Sequence, residues 1–167
     1  MPKTVTAYNV LISCPSDVGE YIDSIKRGVH RFNSTLGEYR DIVLRTKYWK
    51  DDSFAQSGGK AQDLVTPQIV ETSDMAIAVF WTKFGEPTAH FASGTEEEIE
   101  TMISKRKQVF LYFLEKPIPP SMINSSEYKK IVNFKKKYHD KGIYFIVKDE
   151  RELESRIEDG LIRYFSK

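Results

Sequence analysis

Four carboxylates cluster at one helix start, in residues 93–100 (SGTEEEIE). The cluster follows an apolar run, residues 75–81, and a loop that contains glycine and proline. Carboxylates near a helix N-terminus are ordinary, because they offset the helix dipole. Their position is less ordinary, since open α/β sheets bind ligands beyond the carboxyl ends of their strands. A glutamate that faces such a crevice is a candidate catalytic carboxylate.

A helical wheel separates the glutamates of this cluster. The apolar residues that mark the buried side of the helix are Ile99, Met102 and Ile103. At about 100° per residue, Glu97 points away from that side and is expected to face solvent. Glu96 and Glu98 lie on the two flanks, where a side chain can reach a neighbouring cleft.

The same residues also fit a structural role. Thr95 with Glu98 matches a capping box, in which the two side chains bond free amides of the first helical turn. Ser93 with Glu96 offers the same arrangement in an earlier register. Spacing alone therefore leaves a catalytic carboxylate and a helix cap as alternatives for Glu98.

The segment after the first apolar run, residues 13–19 (SCPSDVG), is a second candidate. The hydroxyls of Ser13 and Ser16 and the amides of the next helix start could hold a phosphate or a ribose. A serine or aspartate cap after a proline turn explains the same residues. Cys14 has no histidine nearby in the sequence and is a weak candidate nucleophile. Neither GxGxxG nor GxxxxGK[ST] occurs, which excludes the standard phosphate loops.

The histidines and lysines give weaker signals. The three histidines, at positions 30, 90 and 139, are too scattered for a recognisable metal motif, so no metal is expected. His90 lies in a loop, residues 82–92, that would overhang the crevice, and it is a candidate for substrate contact. The lysines of residues 129–138 fall opposite apolar positions at helical spacing. They indicate a solvated helix face, so nucleic-acid binding is not expected.

Composition sets the broad class. The chain has 167 residues, 40% of them hydrophobic and 29% charged, which is typical of one soluble globular domain. Its net charge of +1 gives no field that implies nucleic-acid or membrane partners. The single cysteine suits a reducing cytoplasm, and no apolar run approaches about 18 residues. We expect one cytoplasmic domain over residues 1–167, either free-standing or the amino-terminal module of a longer protein.

Two kinds of segment alternate along the chain. Five short apolar runs have the length and composition of strands: residues 8–13, 42–49, 75–81, 109–114 and 143–147. Between and after them lie five segments with helical spacing: residues 17–36, 60–72, the helix that begins at the acidic cluster, 126–141 and 150–165. Pro67 is expected to kink or split the second of these helices. This alternation predicts a doubly wound α/β sheet.

Three blocks of the chain resemble a known group of proteins. They are residues 12–18 (ISCPSDV), 74–88 (DMAIAVFWTKFGEPT) and 93–99 (SGTEEEI). Together they resemble the TIR-like domains of bacterial defence proteins. More narrowly, they resemble the domain of unknown function often found at the amino end of large bacterial NTPase-containing proteins. The resemblance implies a flavodoxin-like or TIR-like fold, a doubly wound five-stranded parallel sheet with helices on both faces.

The resemblance also implies an activity, cleavage of the bond between nicotinamide and ribose in NAD. NAD is then a substrate rather than a cofactor, and the catalytic glutamate is Glu98. The pattern Gly94-Thr95-x-x-Glu98-Ile99 is also similar to nucleoside 2-deoxyribosyltransferases, whose motif usually has an aspartate where Ala92 stands. N-glycosidic transfer of that kind and a non-catalytic assembly module are the alternative functions.

The remaining candidates follow from this interpretation. The candidate substrate-binding residues are Ser13, Ser16, Asp51, Trp81, Phe84, His90, Ser93 and Thr95. The aromatic side chains would stack on nicotinamide or adenine. Ser13 and Ser16 would bind phosphate or ribose, and Asp51 or Asp52 would close the site from the loop after the second strand. TIR-like domains typically complete their active sites by self-association, so activity is expected to require it.

Overall fold

A five-stranded sheet forms the centre of the computed structural model, which describes all of residues 1–167. Strands β1 to β5 are Thr6–Ser13, Ile42–Lys47, Met75–Phe80, Gln108–Leu114 and Tyr144–Val147. Every neighbouring pair is parallel, and the strand order is β2-β1-β3-β4-β5. This is the flavodoxin-like order of a doubly wound sheet, so the predicted fold class is confirmed.

The helices follow the predicted alternation. Helices α1 to α7 are Ile22–Phe32, Glu38–Arg40, Trp49–Asp52, Ala61–Val65, Gly94–Ser104, Ser125–Tyr138 and Glu150–Phe165. Segments Ser16–Tyr21 and Pro120–Met122 are 3₁₀ turns, whereas Asn33–Gly37 and Thr66–Val70 are π-type. At Pro67 the chain changes from α to π geometry, because proline lacks the amide that an α-helix needs. None of the helices combines the length and the apolar composition that crossing a bilayer requires.

Helices cover both faces of the sheet because alternate strand residues point to opposite sides. On one face, Ile12 and Ile77 pack in a large cluster with apolar residues of α1 and α7. On the other face, Leu111 and Phe113 pack with residues of α5 and α6. β3 is buried along its whole length, as expected for a central parallel strand. The apolar runs that predicted the strands therefore form a sheet that is covered by an apolar layer on each face.

The order of the strands fixes where a ligand site can form. From β1 the chain moves outward to β2, and it then returns across β1 to begin β3 on the other side. The connections after β1 and β3 therefore leave the sheet in opposite directions. A crevice at the carboxyl ends of these two strands is the usual ligand site of such sheets.

Candidate functional site

A cleft of ≈ 580 Å³ lies at the carboxyl ends of β1 and β3. Its volume is within the range of about 300–1,000 Å³ that small-molecule sites occupy. Five regions of the chain line it: the end of β1 with the segment after it, the start of α3, the region around α4, the loop after β3 together with the first turns of α5, and the first turn of α6. The cleft therefore lies at the switch point that the topology predicts.

Glu98 lies on α5 and lines this cleft. Its Oε2 accepts a hydrogen bond from the hydroxyl of Ser13, the last residue of β1. Its Oε1 accepts one from Nε2 of Gln62 on α4, at 3.3 Å. Two side chains that are distant in sequence therefore hold the carboxylate at the cleft wall.

The helix cap is made by other residues. Ser93 is the N-cap of α5, and its Oγ accepts a hydrogen bond from the amide of Glu96 at 3.1 Å. The Oε1 of Glu96 accepts one from the amide of Ala92 at 3.4 Å. Of the two capping registers that the sequence allows, the structure has the earlier one. Glu98 is not part of the cap, so the capping box of Thr95 with Glu98 is not formed.

The prediction that Glu97 faces solvent is wrong. Its side chain is only partly exposed, and its Oε2 is buried without a hydrogen-bond partner. The helical-wheel argument assumes that a helix packs against the rest of the protein on one side only. α5 contacts the sheet and also the π-type segment Thr66–Val70, so more than one side of this helix is covered.

The surroundings of Glu98 raise the pKa of its carboxyl group. Burial is the main cause, because it disfavours the charged form, and the charge of Glu97 acts in the same direction. The hydrogen bonds from Ser13 and Gln62 oppose the shift, because they favour the ionised form. A desolvated carboxylate supported by two donors is typical of a functional carboxyl group.

Cys14 also lines the cleft, but its thiol is not activated. Burial, followed by the charges of Glu98 and Asp17, raises the pKa of Cys14 to about 12. A thiol with that pKa carries almost no thiolate at neutral pH. Cys14 is therefore not activated as a nucleophile.

The rest of the lining offers charge and one aromatic ring. Besides Glu98, the charged residues that line the cleft are Lys60, Asp63, Lys83, Glu86 and Glu127. Trp49, at the start of α3, is the one aromatic residue of the lining, and it is 46% exposed. The cleft thus has carboxylates that can bind a cationic group of a ligand and ammonium groups that can bind an anionic group. It also has an aromatic ring on which a nucleobase can stack.

The carboxylate of Asp17 joins two walls of the cleft. Asp17 Oδ2 accepts hydrogen bonds from the amide and hydroxyl of Thr82, both at 2.8 Å, and from the amide of Lys83 at 3.1 Å. These bonds connect the segment after β1 to the loop after β3. The relative position of the two walls is therefore fixed by the protein itself.

Four of the sequence-predicted site residues meet at the cleft. Ser16, Thr95 and Glu98 line it, and buried Ser13 contacts it through Glu98. These residues come from β1, from the turn after it and from α5. Their meeting supports the part of the prediction that assigned the site to the carboxyl ends of β1 and β3.

The two predicted stacking residues are not at the cleft. Trp81 is 4% exposed, packs edge-on against Tyr21, and donates its Nε1 hydrogen to the carbonyl of Lys116 at 3.2 Å. Phe84 is 2% exposed and stacks on Phe80 in the core beneath α6. Both rings are part of the apolar layers, so neither is available to stack on a ligand.

Three further predicted residues also lie away from the lining. Asp51 is exposed and pairs with Lys26 of α1 at 2.6 Å. His90 is exposed on the loop after β3 and does not line the cleft. Ser93 is fully buried, because its hydroxyl caps α5.

Sequence reasoning missed Gln62 and Trp49. Gln62 approaches Glu98 across the gap between α4 and α5, and a Cβ at Gly94 would lie 2.7 Å from its Oε1. Glycine at that position is therefore what lets Gln62 approach. No local pattern marks Gln62, whereas Trp49 had a usable signal, because it follows β2 at the ligand-binding edge of the sheet.

The class is a doubly wound α/β domain, as the sheet order shows. A family model described as a domain of unknown function (DUF4062) matches residues 13–162, and the chain belongs to this family.

No curated protein matches the sequence. Among solved structures, the chain is similar to a short-chain flavodoxin associated with a non-canonical PDU bacterial microcompartment, with 8% identity and a TM-score of 0.48, over 96% of this chain and 99% of that one. It is also similar to oxidised flavodoxin 1 from Bacillus cereus, with 12% identity and a TM-score of 0.44, over 92% and 95% of the two chains.

Proposed function

We propose that this domain is a TIR-like NAD glycohydrolase of bacterial defence or signalling, in which Glu98 is the catalytic residue. One observation carries the proposal: Ser13 and Gln62 hold Glu98 at the wall of the cleft, while Ser93 takes over the helix cap. The resemblance to TIR-like domains, on the residues that surround this glutamate, supports the same assignment.

The chemistry requires one carboxylate. The bond between C1′ of the ribose and the pyridinium nitrogen breaks, and its electron pair goes to nitrogen, so neutral nicotinamide leaves without a general acid. Positive charge develops on the ribose, and the carboxylate of Glu98 stabilises it. Water then attacks C1′ and releases a proton to give ADP-ribose, or a nitrogen of the adenine attacks C1′ to give a cyclic product. Paired carboxylates of the glycosidase type are not needed.

Other residues of the cleft suit the rest of the substrate. The exposed ring of Trp49 is available to stack on nicotinamide or adenine. The ammonium groups of Lys60 and Lys83 provide countercharges for a diphosphate, and the hydroxyl of Ser16 is available to a phosphate or ribose oxygen. In this proposal Trp49 takes the stacking role that sequence reasoning gave to Trp81 and Phe84.

The proposal is tested by incubating the protein with NAD and separating the products by chromatography. The protein is assayed over a range of concentrations and on a clustering support, because self-association is expected to be required. We expect nicotinamide and ADP-ribose, or a cyclised product, from the wild type and neither from Glu98→Gln. Loss of NAD at an equal rate in both proteins would contradict the role of Glu98.

A parallel incubation separates the alternatives. Deoxynucleosides and free bases are supplied without NAD, and base exchange is followed. Exchange without NAD consumption would favour the deoxyribosyltransferase-like function. A properly folded, clustered protein that acts on neither substrate would favour the non-catalytic assembly module.

A further inference from the structure

Glu127 lies in line with the buried residues of α6. It precedes Ile131 and Phe134 at helical spacing, and both of these side chains are buried in the core. The side chain of Glu127 is only 21% exposed. A carboxylate in such a place needs a hydrogen-bond donor, because burial of an unpaired charge is costly. The donor that Glu127 binds therefore indicates its role.

Glu127 has the sequence position of a capping-box glutamate, but its carboxylate binds elsewhere. Asn124 is the N-cap of α6, and its side chain accepts a hydrogen bond from the amide of Glu127 at 3.1 Å. In a capping box the glutamate would accept from the amide of the cap residue in return. The Oε2 of Glu127 instead accepts from the amide of Phe84 at 3.2 Å. The carboxylate therefore links α6 to the loop after β3.

Three successive amides at the start of this loop are bound by carboxylates. Asp17 accepts from the amides of Thr82 and Lys83. Glu127 accepts from the next amide, that of Phe84. The two carboxylates come from different elements, the 3₁₀ turn after β1 and the first turn of α6. Hydrogen bonds to ionised groups are stronger than those between neutral groups, so these side chains hold the start of the loop firmly.

The same loop forms one wall of the cleft. Six of its residues line the cleft: Lys83, Gly85, Glu86, Pro87, Thr88 and Ala89. Glu127 lines the cleft as well. Further along the loop, the carbonyl of Glu86 accepts a hydrogen bond from the amide of Gly94, the first residue of α5, at 3.1 Å. This wall is therefore held from α5 and from α6, and Glu127 makes the contact on the α6 side.

We propose that Glu127 is a positioning residue of the cleft. By holding the amide of Phe84, it keeps the wall formed by residues 83–89 in the position that binds the ligand. The inference deepens the proposed function and rests on it for the identity of the ligand, NAD. Lys83, the proposed partner of the diphosphate, is next to Phe84 in the chain, so release of that amide would displace it. Loss of Glu127 should therefore weaken NAD binding.

Calorimetric titration with NAD, in a Glu98→Gln background that is expected not to cleave it, tests the inference. Glu127→Ala should raise the dissociation constant by about tenfold, because a hydrogen bond to a charged group is lost. Glu127→Gln should restore most of the affinity, since its carboxamide oxygen also accepts from an amide. Glu115→Ala is the matched control, because Glu115 pairs with Lys135 of the same helix but does not line the cleft.

Two outcomes of the titration would overturn the inference. In the first, Glu127→Ala binds NAD as tightly as the background protein does. In the second, Glu127→Gln loses as much affinity as Glu127→Ala, which is the result expected if only the charge at the start of α6 matters. A wild type that binds NAD without cleaving it would contradict the proposed function and leave this inference standing.

Hydrogen exchange of single amides, followed by NMR, tests the contact without ligand or activity. Glu127→Ala should speed exchange at the amide of Phe84 by about tenfold or more. The amides of Thr82 and Lys83, which Asp17 holds, should keep their rates. Unchanged exchange at Phe84, or equal acceleration along the whole of α6, would overturn the inference. If the protein binds no NAD, the proposed function fails, and this measurement alone decides whether Glu127 holds the loop.

Discussion

Two buried serines lie near the first turn of α5, and their hydrogen bonds serve different purposes. Ser93 accepts from the amide of Glu96, three residues further on, and so completes the backbone of its own helix. Ser13 donates to Glu98, 85 residues away, and so joins β1 to α5 at the cleft. The first pair removes an unsatisfied group, which stabilises the fold. The second pair holds a desolvated carboxylate at the wall of the cleft, which is the arrangement that the proposed function requires.

The largest effect that separates the two serines should be on activity. Ser13→Ala removes a hydrogen bond to an ionised group, worth about 1.5–3 kcal/mol, so kcat/KM for NAD cleavage should fall by roughly 10- to 100-fold. Ser93→Ala should leave kcat/KM per folded molecule close to wild type. The measurement is the rate of nicotinamide release divided by the fraction of folded protein, which circular dichroism gives. Equal losses in the two variants would remove the distinction between cap and cleft.

The cap role of Ser93 should be measurable as a loss of stability. Ser93→Ala removes the N-cap of α5 and should lower the free energy of unfolding by about 0.5–2 kcal/mol in urea denaturation. Thr95→Val is the control, because Thr95 is of similar size and burial but is not the cap. If Thr95→Val lowered the free energy of unfolding more than Ser93→Ala, Thr95 rather than Ser93 would be the N-cap of α5.

Glu98→Gln should not behave like the loss of a cap. The pKa of Glu98 is raised in the folded state, so its ionisation lowers stability as pH rises from its ordinary value of 4.5 through the folded value. The variant cannot ionise, so at neutral pH it should be at least as stable as wild type. This advantage should disappear on acidification below pH 4.5. Thermal unfolding of both proteins at several pH values from acid to neutral measures this difference in stability. A variant less stable than wild type at pH 7 would show that the carboxylate is structural.

The smallest effect should be on the pH profile. NAD cleavage should decline on the acid side as Glu98 becomes protonated, with its midpoint above pH 4.5 because the pKa is raised. Gln62→Leu removes a donor that favours the ionised form, so the midpoint should move to higher pH, by less than about one unit. The measurement is kcat/KM as a function of pH for wild type and for Gln62→Leu. A shift to lower pH would contradict the assigned role of Gln62.

The elements were predictable because their signals are local. Buried parallel strands are continuous apolar runs, and the stripe of Leu153, Ile157 and Leu161 gives α7 its predicted bounds of 150 and 165. The strand bounds moved by two residues at most. Each signal lies within one short stretch of sequence, either one apolar run or the successive turns of one helix.

The site was only partly predictable, because its decisive contacts are not local. Spacing allowed two caps, and the choice between Ser93 and Thr95 depends on where the chain enters α5 after its loop. Trp81 and Trp49 both follow strands, yet the first is covered by helix packing and the second is open to the cleft. Gln62 reaches Glu98 from a different helix, α4, and no spacing within α4 or α5 encodes that contact.

The most direct test of the central claim compares two glutamines on one helix. Glu98→Gln and Glu100→Gln make the same chemical change, but Glu100 pairs with Lys137 and Lys141 rather than lining the cleft. Nicotinamide release from NAD should fall on the order of a hundredfold or more in Glu98→Gln and stay near wild type in Glu100→Gln. Activity that survives in Glu98→Gln, or that falls equally in both variants, would contradict the assignment of Glu98 as the catalytic residue.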